Sequence, residues 1–135
     1  MHALVVDDAR AVRRVLRHSL EEFGIEVSEA ADGVEALEAL ETLGADTEIN
    51  LVIVDWNMPR MSGIEFVQRL RALSNHQECR VLMVTTEAME EQVLEALSAG
   101  ADEYLMKPFT QEAFYEKLAL VGFGPSSSSV TEISQ

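Results

Sequence analysis

The sequence predicts an α/β, doubly wound fold: a parallel sheet of five strands with helices on both faces. Two observations carry that prediction. Five short apolar runs alternate with five stretches of helical spacing, and strict alternation demands parallel strands joined by right-handed crossovers. The run Leu51-Val-Ile-Val54 is uninterrupted, mostly β-branched and closed by turn residues, the pattern of a strand buried on both faces. With 135 residues the chain fits one domain with a sizeable core.

Each element has its own signal. Ala3-Leu-Val-Val6 is a short apolar run that ends in Asp7-Asp8. From Arg10 to Phe23, apolar residues fall at Val12, Val15, Leu16, Leu20 and Phe23, and Gly24 stops the helix. Glu26 to Ala30 alternates polar and apolar residues, as an edge strand does. Asp32-Gly-Val-Glu35 reads as a capping box opening a helix through Leu43, with Val34, Leu37 and Leu40 inward. A polar connection, residues 44–50, leads to Leu51–Val54. Ser62-Gly-Ile-Glu65 is a second capping box, whose helix runs to Leu73 and buries Phe66, Val67, Leu70 and Leu73. Arg80–Val84 is the fourth strand. The next helix spans Ala88 to Ser98 with Met89, Val93, Ala96 and Leu97 inward. Ala101–Met106 is the fifth strand, and Thr110 caps a last helix with Phe114, Leu118 and Val121 inward.

Composition limits the function. The chain is 47% hydrophobic and 25% charged, with 24 acidic against 10 basic side chains and a net charge of −14. That balance argues against unaided binding to nucleic acid or to anionic membranes. No run approaches the roughly 18 apolar residues of a membrane span, and the N-terminus lacks a signal-peptide pattern. Both point to a cytoplasmic location. The single cysteine, Cys79, excludes an internal disulfide and a cysteine metal cluster and reads as a buried or half-buried small residue. His2, His18 and His76 share no ligand spacing and read as surface residues. Residues 1–122 form the expected domain. Residues 123–135, with Gly124-Pro125 and the serine run Ser126 to Ser129, are expected to be a flexible tail.

Four of the five strands end in polar groups suited to one site: Asp7 and Asp8, Asp55, Thr85, and Lys107. In a parallel sheet all carboxyl ends share a rim, where α/β proteins place their ligands. Three carboxylates there repel one another unless a cation sits among them. Oxygen-only ligands with room for water favour Mg²⁺. A carboxylate beside Mg²⁺, a hydroxyl and an ammonium suits phosphoryl transfer to the carboxylate. Each residue alone also has a plainer reading. Asp7 or Asp8 could cap the first helix, Thr85 or Thr86 the fourth, and Lys107 could be a surface charge.

The combination of Asp7-Asp8, Asp55 in Asp-Trp-Asn-Met-Pro-x-Met-x-Gly, Thr85 and Lys107-Pro108-Phe109 resembles the response-regulator receiver domain of two-component signalling. The likeness spans about residues 2 to 122, and its nearest pattern is the CheY-like single-domain type. It implies a flavodoxin-like (βα)5 fold with strand order 2-1-3-4-5. It implies that Asp55 accepts a phosphoryl group from a histidine kinase or phosphotransfer protein. Mg²⁺, or in its place Mn²⁺, would be held by Asp8, Asp55 and the backbone carbonyl of Asn57, with Asp7 acting through water. Lys107 would pair with the phosphoryl group and precede a cis bond to Pro108. Thr85 and Tyr104 would form the switch pair, and Asn57 and Glu87 would tune phosphoryl lifetime. The output would be protein binding on the face of the fourth helix, fifth strand and fifth helix, by a monomer or a weak phosphorylation-dependent dimer. Glu90, Glu91 and Glu95 stand on that fourth helix where motor-binding members of the family carry basic residues, which separates the chemistry from any particular target. The domain would catalyse its own phosphorylation and dephosphorylation rather than act as an enzyme on other substrates.

Three other readings compete. An Asp-nucleophile phosphatase would want a second Asp where Asn57 stands, and a cap domain. A flavodoxin-like cofactor binder would want a Gly- or hydroxyl-rich phosphate loop where Asp7-Asp8 stands. A receiver-like docking module that is never phosphorylated would not need the complete set of site residues. No DNA-binding domain is expected after residue 122, so the output is expected to act through a protein partner.

Overall fold

The computed structural model describes residues 1–43, 47–73 and 75–123. The predicted tail from 124 onward lies outside them. Five strands, β1 (His2–Val6), β2 (Glu26–Ala30), β3 (Leu51–Val54), β4 (Arg80–Thr85) and β5 (Glu103–Met106), form one sheet in the order β2-β1-β3-β4-β5. All four pairings are parallel. The helices are α1 (Arg10–Glu21), α2 (Gly33–Leu43), α3 (Gly63–Ala72), α4 (Glu90–Ala99) and α5 (Gln111–Leu120). The predicted fold and strand order hold.

Side-chain alternation along the strands divides the core into two layers. Leu4, Val6, Val52, Val54, Val81 and Met83 face one way and pack with Phe66, Val67 and Leu70 of α3, Leu40 of α2 and Ala96 of α4. Val5, Ile53, Leu82, Val84 and Leu105 face the other way, onto Leu16 and Leu20 of α1 and Phe114 and Leu118 of α5. All of β3 is buried, as its apolar run requires. Each large side chain removed from water here contributes about 1.5–3 kcal/mol before its ordering cost.

Several local expectations are corrected. Val15 is 57% exposed: α1 leans on the sheet through Leu16, Ser19 and Leu20, which leaves Val15 at a groove beside Phe109. Leu73 is exposed because it follows the last helical residue with extended backbone. Met89 and Leu97 are also exposed, since α4 buries only Ala96 fully. Both capping boxes are half made. Asp32 accepts from the Glu35 N–H, but the Glu35 carboxylate takes the Ala31 N–H in place of that of Asp32. Ser62 accepts from the Glu65 N–H, and the Glu65 carboxylate turns to Arg69. His76 is buried rather than on the surface, and His2 is half-buried against Ser28. Cys79 is buried, as expected. Phe123, assigned to the tail, packs into the α1/α5 layer.

Candidate functional site

The chain leaves β1 for β2 on one side while β3 lies on the other, so a crevice opens at the carboxyl end of β1. Asp7 and Asp8 follow β1 and Asp55 follows β3. The sheet ladder continues past the strands and holds their backbones. The Asp7 N–H donates to Ala30 O at 3.1 Å, the Asp55 N–H to Val6 O at 3.0 Å, and the Lys107 N–H to Thr85 O at 2.8 Å.

Lys107 reaches from the end of β5 to the carboxylates beyond β4. Its Nζ donates to Asp7 Oδ2 at 2.7 Å and to Asp55 Oδ2 at 3.0 Å. The other Asp7 oxygen accepts from the Ala9 N–H at 2.8 Å. Both Asp7 oxygens are therefore engaged. Asp55 Oδ1 meets only the Asn57 N–H, at 3.4 Å, and Asp8 is exposed with no side-chain partner among the described residues. One carboxylate oxygen from each of Asp7, Asp8 and Asp55 lies within 4.8 Å of the others.

Burial sets the electrostatics. Asp7 is 2% exposed, and desolvation pushes its pKa up, although the Lys107 ammonium and the Ala9 N–H oppose the rise. Burial also works against the Lys107 charge, but the hydrogen bonds to Asp7 and Asp55 outweigh it and hold its pKa above the usual lysine value. One ammonium thus faces three carboxyl groups. That imbalance suits an oxygen-loving divalent cation.

Behind the rim lies a second set of contacts centred on Glu87. Its carboxylate accepts from Asn57 Nδ2 at 2.7 Å and from Gln92 Nε2 of α4 at 2.5 Å. Its backbone carbonyl accepts from the Tyr104 hydroxyl, and its N–H donates to Thr85 Oγ1 at 3.4 Å. Thr85 is fully buried and Tyr104 is 8% exposed, on the face of β5 that α4 covers. The Lys107–Pro108 bond is cis.

Two contributors escaped the sequence reading. Gln92 carries no motif, and its spacing from Met89 was its only signal: its Oε1 accepts the Met89 N–H while its amide holds Glu87. Gly63 reads as a turn residue, yet its role is clearance. A Cβ there would lie 2.0 Å from the Asp55 carbonyl oxygen, and the Gly63 N–H donates to Trp56 O at 2.8 Å. The first turn of α3 thus rests on the backbone that presents Asp55.

A doubly wound parallel sheet that gathers three aspartates and a lysine at one rim, with threonine and tyrosine tied to the backbone of Glu87 just before α4, defines a small α/β receiver module. The chain belongs to the response regulator receiver domain family, which matches residues 3–119. It is 43% identical to the chemotaxis protein CheY1 of Helicobacter pylori over 122 residues, 90% of this chain and 96% of that protein. A chemotaxis protein CheY homolog of Campylobacter jejuni is 40% identical over 119 residues, covering 87% and 89%. The solved structure of chemotaxis protein CheY4 of Vibrio cholerae superposes with a TM-score of 0.80 at 38% identity, over 89% of this chain and 97% of that one. The chain is a receiver of CheY type, a signalling domain of two-component systems. No described helix is long and apolar enough to cross a membrane.

Proposed function

We propose that Asp55 accepts a phosphoryl group and that its arrival alters which protein the domain binds. The observation that carries this is the Lys107 ammonium bridging Asp7 and Asp55 at a strand rim that also carries Asp8. A carboxylate oxygen of Asp55 attacks phosphorus in line. The new O–P bond forms as the P–N bond of a phosphohistidine, or the P–O bond of acetyl phosphate, breaks, and the leaving group keeps the electron pair. Lys107, already 3.0 Å from Asp55 Oδ2, turns to the incoming phosphoryl oxygens and offsets their charge. Thr85 donates its hydroxyl to the same group.

The donor set fits Mg²⁺: three carboxyl groups within reach of one another and no His or Cys. Asp8 and Asp55, with the Asn57 carbonyl, would hold it directly. Asp7 would act through water, in keeping with two oxygens already bonded. Mn²⁺ would serve in its place. The bound ion supplies neutralisation of the phosphoryl charge.

Tyr104 already lies inward on the Glu87 carbonyl. The switch therefore works by holding Tyr104 and Glu87 in place once Thr85 engages the phosphoryl group, as a shift between populated states. Asn57 and Glu87, hydrogen-bonded at the rim, govern access of water to the aspartyl phosphate. The donor is a histidine kinase or phosphotransfer protein. The readout is a protein docking on α4, β5 and α5. The described domain through Phe123 carries these activities, and the setting is cytoplasmic.

Trp56, the only tryptophan, adjoins Asp55 and is half-buried, so it reports on the site. Its fluorescence is followed on adding Mg²⁺ and then acetyl phosphate, to wild type and to Asp55→Asn, with intact mass measured in parallel. A metal-dependent response and one added phosphate, both absent in the variant, are expected. A wild type that binds Mg²⁺ yet gains no phosphate would overturn the proposal in favour of a docking module.

A further inference from the structure

We infer that the groove between α1 and β2 is a binding site for a phosphoanhydride chain, a di- or triphosphate held by Arg10, Arg13, Arg14 and Arg17. The site does not depend on phosphorylation of Asp55.

Charge singles this groove out. The chain has 10 basic residues against 24 acidic ones, yet four of the ten stand at positions 10, 13, 14 and 17, all within α1. Spacings of three and four residues put them on one helix face. No acidic residue precedes Glu21 in that helix. Every other Lys and Arg lies within ion-pair distance of a carboxylate. Arg10 and Arg14 alone have no ion-pair or side-chain hydrogen-bond partner among the described residues. In a chain of net charge −14, two unpaired guanidinium groups one helical turn apart are not the product of a general excess of cations.

The lining selects the ligand. The groove holds about 590 Å³ between Arg10, Arg13, Arg14, Arg17 and Glu29, the size of a small-molecule site. Glu29 bridges two of its walls, accepting from Arg13 Nε at 3.0 Å with one oxygen and from Arg17 Nε with the other. The guanidinium forks therefore already grip an oxyanion, and phosphate suits the same forks. Glu21 holds Arg17 from beyond the groove. One lining carboxylate against four guanidinium groups leaves a local excess of positive charge. All the lining residues are charged, so the groove lacks the apolar core of a protein interface and any aromatic ring for a base to stack on. Arg10 and Arg17 are about 10 Å apart along the helix, which suits several phosphoryl groups in a row better than one. The groove also adjoins the aspartate rim, because Arg13 Nη1 donates to the Asp7 carbonyl oxygen at 2.6 Å.

The probe is inorganic triphosphate, titrated against the full chain by calorimetry at low salt without divalent metal. Arg10→Gln/Arg14→Gln is compared with Arg69→Gln/Arg80→Gln, which removes the same charge from exposed positions on α3 and β4. Arg10 and Arg14 are exposed too, and Gln matches Arg in helix propensity, so the α1 variant keeps the fold. It is expected to weaken binding at least about tenfold, and the control less than about twofold. Glu29→Gln removes the lining carboxylate and frees Arg13 and Arg17, so it is expected to tighten binding about threefold or more. ATP and an oligoglutamate peptide are titrated alongside. ATP no tighter than triphosphate assigns the inorganic chain, a tighter ATP assigns a nucleotide, and both uphold a phosphate site. A peptide that binds as tightly as triphosphate, with the same dependence on Arg10 and Arg14, would overturn it in favour of an acidic partner segment. No saturable binding by wild type, equal loss in the two double variants, or weaker binding by Glu29→Gln would also overturn the assignment.

Discussion

Gly63→Ala tests the coupling of α3 to Asp55 most directly. The added Cβ would stand 2.0 Å from the Asp55 carbonyl oxygen and 2.9 Å from its carbonyl carbon. The two must part by about 1 Å to reach even the shortest contact a Cβ makes. Backbone cannot rotate away as a side chain can, so either the Asp55 peptide or the first turn of α3 must move. Moving α3 disturbs Phe66, Val67 and Leu70, all with no exposed surface. Overpacking of this kind costs about 1–3 kcal/mol, and the better helix propensity of Ala returns less than about 1 kcal/mol at a first turn. A fall in Tm of about 5–10 °C follows for a domain of this size. The Asp55 carboxylate moves with its backbone, and about 1 Å of misplacement costs on the order of a hundredfold in rate. Gly24→Ala is the control: its φ is +76° and no atom lies within 4 Å of the new Cβ. It loses about 1–2 kcal/mol to strain but leaves the site untouched. Thermal melts and Trp56-monitored phosphorylation by acetyl phosphate are run on both. If Gly63→Ala keeps the wild-type Tm, or slows phosphorylation no more than Gly24→Ala, the coupling argument fails.

Asp7→Asn is expected to raise the Tm of the metal-free protein at neutral pH. Burial raises the folded-state pKa of Asp7, so its contribution to stability is fully present below the unfolded value of about 4 and is lost as pH rises through the folded value. The variant's gain should therefore vanish in acid; a gain that persists there would refute this account. Glu29 carries the opposite sign. Burial opposes its ionisation, but Arg17 and Arg13 outweigh that and hold its pKa low. Its stabilisation is present above the unfolded value and is lost as pH falls through the folded one, so Glu29→Gln should flatten the acid limb of a Tm-against-pH curve. Lys107→Met leaves Asp7 and Asp55 facing each other unpaired. It should cost about 3–5 kcal/mol by denaturant melts without metal, less in acid, and should abolish the phosphodonor response; an unchanged response would remove Lys107 from the chemistry. Arg71→Met strips hydrogen bonds from the carbonyls of Gly100, Gln77 and Cys79. A loss of about 1–3 kcal/mol with normal phosphorylation is expected, and a phosphorylation defect would show that this brace reaches the site.

What could be read from the sequence follows from how the site is built. Asp7, Asp55, Thr85 and Lys107 each stand at or next to the end of an apolar run, and parallel pairing alone carries those ends to one rim. Linear position therefore encoded spatial position for them. Gln92 and Gly63 have no such encoding. Gln92 matters because its amide spans from α4 to Glu87, a distance set by how the helix tilts on the sheet. Gly63 matters because two backbones nearly touch, and a glycine in a turn motif has a sufficient local reason to be there already. The apolar stripe on α4 misled for a related reason. Helical periodicity shows which residues share a face but not how wide a strip the sheet can cover. At the sheet edge only Ala96 is fully enclosed, so Leu97 and Met89 are left outside.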